Sequence, residues 1–188
     1  MKNFLSENVY NVIKMLLNQI GLSMLGFVMA MATANAYIAL RVVVGVVCIV
    51  FYLWILYVMI YEICQKDGIK IQTGRLHYFR MKGFWIAFLA NVPNIIIGIL
   101  TFIGGYFYEL IGVDQYSWAA KLYAVSNAIG KVFEAVYLPL ISSLAPNEYW
   151  PLLLTPVLPI AVCSAAYCLG VKYCDGFKNT KSNENRYK

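Results

Sequence analysis

Four stretches of this chain run for about twenty residues or more with hardly a charge: Val12 to Ala34, Val42 to Tyr61, Phe84 to Tyr108 and Pro151 to Val171. At about 1.5 Å of rise per residue, each is long enough as a helix to cover a hydrocarbon core of about 30 Å. Only Lys14, Asn18 and Gln19 interrupt the first, and Lys14 lies close enough to its start to reach the headgroups. The second is rich in Val, Ile and Phe, which also suit a buried strand. Strands rarely exceed about ten residues, so length decides for helix. Pro93 in the third run and Pro156 and Pro159 in the fourth predict helix kinks. Such prolines are tolerated because neighbouring helices can satisfy the freed carbonyls.

The stretch between the third and fourth runs reads differently. From Glu109 to Trp150 it carries Glu109, Asp114, Lys121, Lys131, Glu134 and Glu148. Its part 118–144 is long enough to cross a bilayer, but central charges make insertion costly. Lys131 and Glu134 are placed to relieve one another as an i,i+3 pair, and Pro139 is expected to break the helix beyond them. Leu122, Val125, Ile129, Val132 and Val136 recur at helical intervals, which predicts a membrane-touching amphipathic helix. The fold class is therefore an all-α, polytopic transmembrane bundle. It has four spans (12–34, 42–61, 84–108 and 151–171) plus a segment 118–144 that is amphipathic, re-entrant or a fifth span.

Composition supports that reading and narrows it. Hydrophobic types make up 61% of the 188 residues and charged types 13%, against about a quarter charged in soluble domains. This excludes a soluble enzyme and a disordered regulator. The net charge of +6 lies in short loops rather than in a basic domain, so no nucleic-acid partner is expected. The loop 62–82 carries five basic residues (Lys66, Lys70, Arg75, Arg80, Lys82) against Glu62 and Asp67, and the tail 172–188 five against Asp175 and Glu184. Basic short loops stay cytoplasmic, so both segments and both termini are expected inside, most naturally at a plasma membrane. An even number of crossings between the two segments satisfies this rule, which favours four spans over five.

Within the basic loop, Asp67-Gly68 and Thr73-Gly74 are turn signals around the alternating Ile69-Lys70-Ile71-Gln72. A short hairpin on the membrane surface is expected there, with Phe79 and Trp85 as anchors. Its Lys70, Arg75, Arg80 and Lys82 would meet lipid headgroups or the acidic patch of a partner. Tyr37, Tyr108, Trp118 and Trp150 fall where the outer interface should be, the layer that amphipathic aromatics prefer.

The chemistry on offer is polar rather than catalytic. Five scattered cysteines and one histidine, His77, make no metal or disulfide pattern, and no cofactor is implied. Glu62, Asp67 and His77 are the only place where acid–base chemistry could gather. Asn18 and Gln19 in the first span and Asn91 and Asn94 in the third lie at overlapping depth, with Pro93 freeing a carbonyl beside them. This predicts one polar intramembrane cluster. It would act either as interhelical hydrogen bonding or as a site for a small polar solute beside a broken helix. Gly26/Ala30/Ala34, Ala161/Ala165 and Ala166/Gly170 repeat the four-residue spacing of small residues that lets helices approach closely. Membrane lipids and either a homo-oligomer or other membrane subunits are the expected partners. The function expected is a component of a membrane transport system for a small solute. The alternatives are a non-transporting scaffold or accessory subunit and, last, a membrane-embedded enzyme.

Overall fold

The computed structural model describes residues 2–73, 79, 81–111, 118–145 and 148–184. Helix α1 spans Lys2–Ala32, α2 Ile38–Gln72 and α3 Lys82–Ile111. Helix α4 spans Trp118–Phe133, a 3-10 turn Ala135–Tyr137, α5 Leu138–Leu144, α6 Pro151–Leu154 and α7 Val157–Glu184. Helices α1, α2, α3 and the α6–α7 pair contain the four runs long and apolar enough to cross a membrane. Each starts or ends several residues beyond the apolar stretch seen in the sequence, because a helix continues until its backbone is capped rather than until its hydropathy changes. At the end of α1, Thr33 Oγ1 donates to the Met29 carbonyl at 2.8 Å, and Arg41 Nε reaches back to the Ala36 carbonyl at 3.2 Å. These bonds fold the tight α1–α2 loop.

The surface hairpin expected around Asp67-Gly68 does not form. Helix α2 runs straight through it to Gln72, since Asp67 is bound from outside its own backbone. Lys82 Nζ lies 2.7 Å from Asp67 Oδ2, and Tyr167 Oη donates to the same oxygen at 3.2 Å. With both charges nearly buried, this contact ties α2, α3 and α7 together at the α2–α3 end of the bundle. Below it, Leu56, Ile60, Ile86, Ala87, Cys163 and Ala166 form the core with no exposed surface. Gly170 sits so close to α2 that a Cβ would meet Cys64 Sγ at 2.8 Å. The Ala166/Gly170 pair of small residues is thus used within the chain, whereas Ala161 and Ala165 face outward.

The segment 118–144 is a bent pair of helices with an 83° turn between α4 and the residues after it. Contacts decide whether it crosses. Trp118 packs against Phe107 with the rings tilted, and Tyr123 stacks on Tyr108, at the far end of α3. Descending from there, Gly130 packs against Ile97 near the middle of α3. After the turn, Tyr137 meets Tyr52, Leu140 meets Gly45, and Ser142 shares a cleft with Ala34 and Arg41. Along α2 those partners run back toward its start, so the chain returns to the end it came from. The segment is a re-entrant hairpin, and the bundle keeps four crossings.

The break comes earlier than Pro139, which instead occupies the first turn of α5, where a proline is well accommodated. It falls at Glu134, whose backbone leaves helical geometry at φ −113° and ψ 28°. The expected Lys131–Glu134 ion pair is not made: Glu134 follows the buried face of Ser126 and Gly130, and Lys131 lies off it. The apolar stripe also faces opposite to a soluble amphipathic helix: Val125, Ile129 and Val132 point outward, while Ala119, Ser126 and Gly130 are buried. In lipid, apolar side chains gain nothing by facing protein, and small residues allow the close approach.

Two outcomes test this architecture. In a cysteine-free background, Lys121→Cys and Leu144→Cys should react with an impermeant thiol reagent from the same side as Tyr37→Cys, and Thr73→Cys only from the other. A crossing segment would put positions 121 and 144 on opposite faces. Asp67→Asn, which strands the Lys82 ammonium, should lower stability by about 3–5 kcal/mol, with much of that recovered when Lys82→Met is added. Chemical denaturation in detergent reads both variants.

Candidate functional site

Three helix irregularities meet in the middle of the bundle. Pro93 sits inside α3 and removes the donor for the Leu89 carbonyl. Glu134 marks the tip of the re-entrant hairpin, and Thr155-Pro156 interrupts the last span between α6 and α7. Around them Ser23, Tyr52, Asn91, Asn94, Glu134, Tyr137 and Thr155 line a cavity of about 10 Å³, closed on one side by Pro156 and Pro159. That volume is roughly what one water molecule needs.

The hairpin tip is held by polar contacts to both neighbours. Thr155 Oγ1 donates to Glu134 Oε2, and Ser23 Oγ donates to the Phe133 carbonyl, one of those left open where α4 stops. Glu134 is 5% exposed, and among the described residues no cation forms an ion pair with it. Tyr137 is 6% exposed, its ring edge-on to Tyr52 at 5.9 Å, and its hydroxyl has no hydrogen-bond partner among the described residues. Gly26 allows this depth: a Cβ there would stand 2.5 Å from Val136 Cα, so a larger residue in α1 would push the tip away.

The four amides separate into two environments. Gln19 Nε2 donates to Asn91 Oδ1 at 3.2 Å, and Asn91 Nδ2 donates back to the Ala87 carbonyl at 2.8 Å. Asn94, one turn further along α3, is 9% exposed and faces the cavity. Asn18 points elsewhere, toward Met59 Sδ of α2 at 3.4 Å. Adjacent helix positions are rotated by about 100°, so Asn18 and Gln19 cannot share one face. The structure thus joins Gln19, Asn91 and the Asn94 wall, and leaves Asn18 out.

Glu134, Tyr137, Thr155, Ser23 and Tyr52 complete the chamber and carry no motif in the sequence. The usable signal was the helical phase of Ser126, Gly130 and Glu134, spaced at four and buried together on the face opposite the apolar stripe. Of the basic-loop residues, Lys70 is exposed in the last turn of α2, and Lys82 is taken up by Asp67. Arg75, Arg80 and His77 lie outside the described residues. Glu62 is half-exposed and 3.9 Å from Lys14, while Asp67 is held by Lys82 and Tyr167. The two acids considered for acid–base chemistry thus serve separate ion pairs. Among the described residues no three His, Cys, Asp or Glu side chains come together in a metal-binding group.

The chain therefore has the build of a multispanning integral membrane protein, with a re-entrant hairpin carried into the core of four apolar helices. Compared with protein-family models, curated proteins and solved structures, it matches none at a significant level.

The amide pair gives a direct test. Asn91→Ala should lower stability by about 0.5–2 kcal/mol, non-additively with Gln19→Ala and additively with Asn18→Ala. A double-mutant cycle in detergent or bilayer measures both couplings, and equal coupling to positions 18 and 19 would contradict the separation seen here.

Proposed function

We propose that this protein is a component of a membrane transport system and that the central chamber is its binding site for a small polar solute. One observation carries the reading: a buried carboxyl, an unpartnered phenol and a cavity-facing amide converge where three helix irregularities meet. An ionisable side chain within the membrane is expected at ion and solute paths. Irregular backbone at that depth recurs in transporter sites, where protein or a cavity surrounds it. The donor set also limits the solute. Glu134, Asn94, Tyr137, Thr155 and Ser23 offer oxygen atoms and a single carboxylate to a space of water size. That suits a small monovalent cation better than a divalent ion or a large metabolite.

The orientation proposed with this function has both termini cytoplasmic in a plasma membrane. It follows from the basic segments at 62–82 and 172–188, and puts the hairpin opening outside. Four spans and a hairpin enclose no wide path, so further subunits or copies of the chain complete the system.

Thermal unfolding in lithium, sodium, potassium and ammonium chlorides, against choline chloride at equal ionic strength, tests the site. At least one small cation should stabilise the protein over choline, by about 2.7 kcal/mol at a hundredfold excess over its dissociation constant. Glu134→Gln should abolish that response, and Asn94→Ala should weaken it while leaving the choline value nearly unchanged. Equal stability in all five salts, with a partner protein retained through purification in mild detergent, would instead favour a scaffold or accessory subunit. In that role the amides and hydroxyls only join helices.

A further inference from the structure

A second cavity lies at the α1–α2 end of the bundle, away from the chamber. It has a volume of about 350 Å³, and its lining includes Met31, Leu138, Ile141 and Ser142 together with two cations, Arg41 and Lys131. Its walls are apolar except for those cations and Ser142. Among the described residues neither is in an ion pair; the two ion pairs present are Lys14–Glu62 and Lys82–Asp67. Arg41 spends only Nε, on the Ala36 carbonyl, which leaves the outer fork of its guanidinium for another acceptor.

Lys131 is the sharper anomaly. It follows Gly130, which packs on Ile97 midway along a helix long and apolar enough to cross a membrane, and its side chain lines the cleft with Arg41. A cation within the membrane is costly unless a counter-charge or a snorkelling path meets it. Glu134, three residues on, is turned into the opposite side of the hairpin and cannot serve. The cleft is of the size of small-molecule sites, and beside it Met31 is 64% and Ile38 63% exposed on a lipid-facing surface. An occupant must therefore be anionic at one end and apolar along the rest.

We propose that this cleft binds one anionic phospholipid, its phosphate held between Arg41 and Lys131 and its chains continuing over the α1–α5 seam. Arginine matches phosphate oxygens with paired hydrogen bonds, and lysine adds a point charge. The apolar walls favour a lipid over a free anion, which would leave them bare. The site is independent of the cation chamber: either can fail without the other.

Native mass spectrometry of the full chain released from phosphatidylcholine bilayers containing a minor share of phosphatidylglycerol provides the test. A single phosphatidylglycerol adduct should persist after phosphatidylcholine of the same chain length has been stripped away. Lys131→Gln and Arg41→Gln should each weaken its retention about fivefold, the effect of one cation near an anionic headgroup. Lys121→Gln, which removes an exposed charge from the same helix outside the cleft, should leave it unchanged. Lys131→Arg keeps the charge and should keep the adduct, so loss in that variant overturns the proposal even if Lys131→Gln merely unfolds. Equal retention of the two lipids, an effect of Lys121→Gln as large as that of Lys131→Gln, or displacement of the adduct by equimolar inorganic phosphate would also overturn it.

Discussion

A carboxyl group carried into the middle of an apolar slab must be met by protein, and the meeting of Glu134 with Thr155 organises the centre of this molecule. Both residues stand where a helix is interrupted. Each interruption leaves backbone groups without their usual helical partners, which lipid cannot supply. Bringing the two breaks together lets side chains do part of that work: Thr155 serves Glu134, and Ser23 serves the Phe133 carbonyl. The re-entrant hairpin can exist at this depth only because protein surrounds it on every side that carries an open polar group.

That requirement explains where the small residues fall. Gly26 in α1 and Gly45 in α2 lie against the backbones of Val136 and Leu140, and Gly104 in α3 against that of Tyr123. The hairpin is thus gripped by three spans at distances no larger side chain would permit. At the opposite end of the bundle the Asp67–Lys82–Tyr167 contact performs a different task, fixing α2, α3 and α7 so that the half without a hairpin remains closed. Packing there is by buried Leu, Ile, Ala and Cys.

The four spans were readable in the sequence because hydropathy over twenty residues reports directly on solvent, and the bilayer is a solvent. The even crossing number was readable from loop charge for a similar reason. What could not be read was rotation. Asn18 and Gln19 share a depth, yet one meets Met59 and the other Asn91, a difference set by helix phase against neighbours that a single sequence does not orient. The Asp67-Gly68 turn signal misled because a local propensity lost to a tertiary ion pair with Lys82. Pro156 and Pro159 line the chamber, and Pro93 lies between Asn91 and Asn94 of its wall. The residue with the most chemistry, Glu134, was visible but assigned to the wrong partner.

The different directions taken by Lys131 and Glu134 underlie both candidate sites. Gly130 still accepts the Glu134 backbone N–H at 2.8 Å, so Glu134 keeps the phase of buried Ser126 and Gly130, one face away from Lys131. The carboxyl of Glu134 lines the chamber and the side chain of Lys131 lines the cleft. Each then needs a partner that the chain itself does not provide in full. One short stretch of chain thus sends a carboxyl and an ammonium to opposite sides of the hairpin, and the two proposed sites rest on that separation.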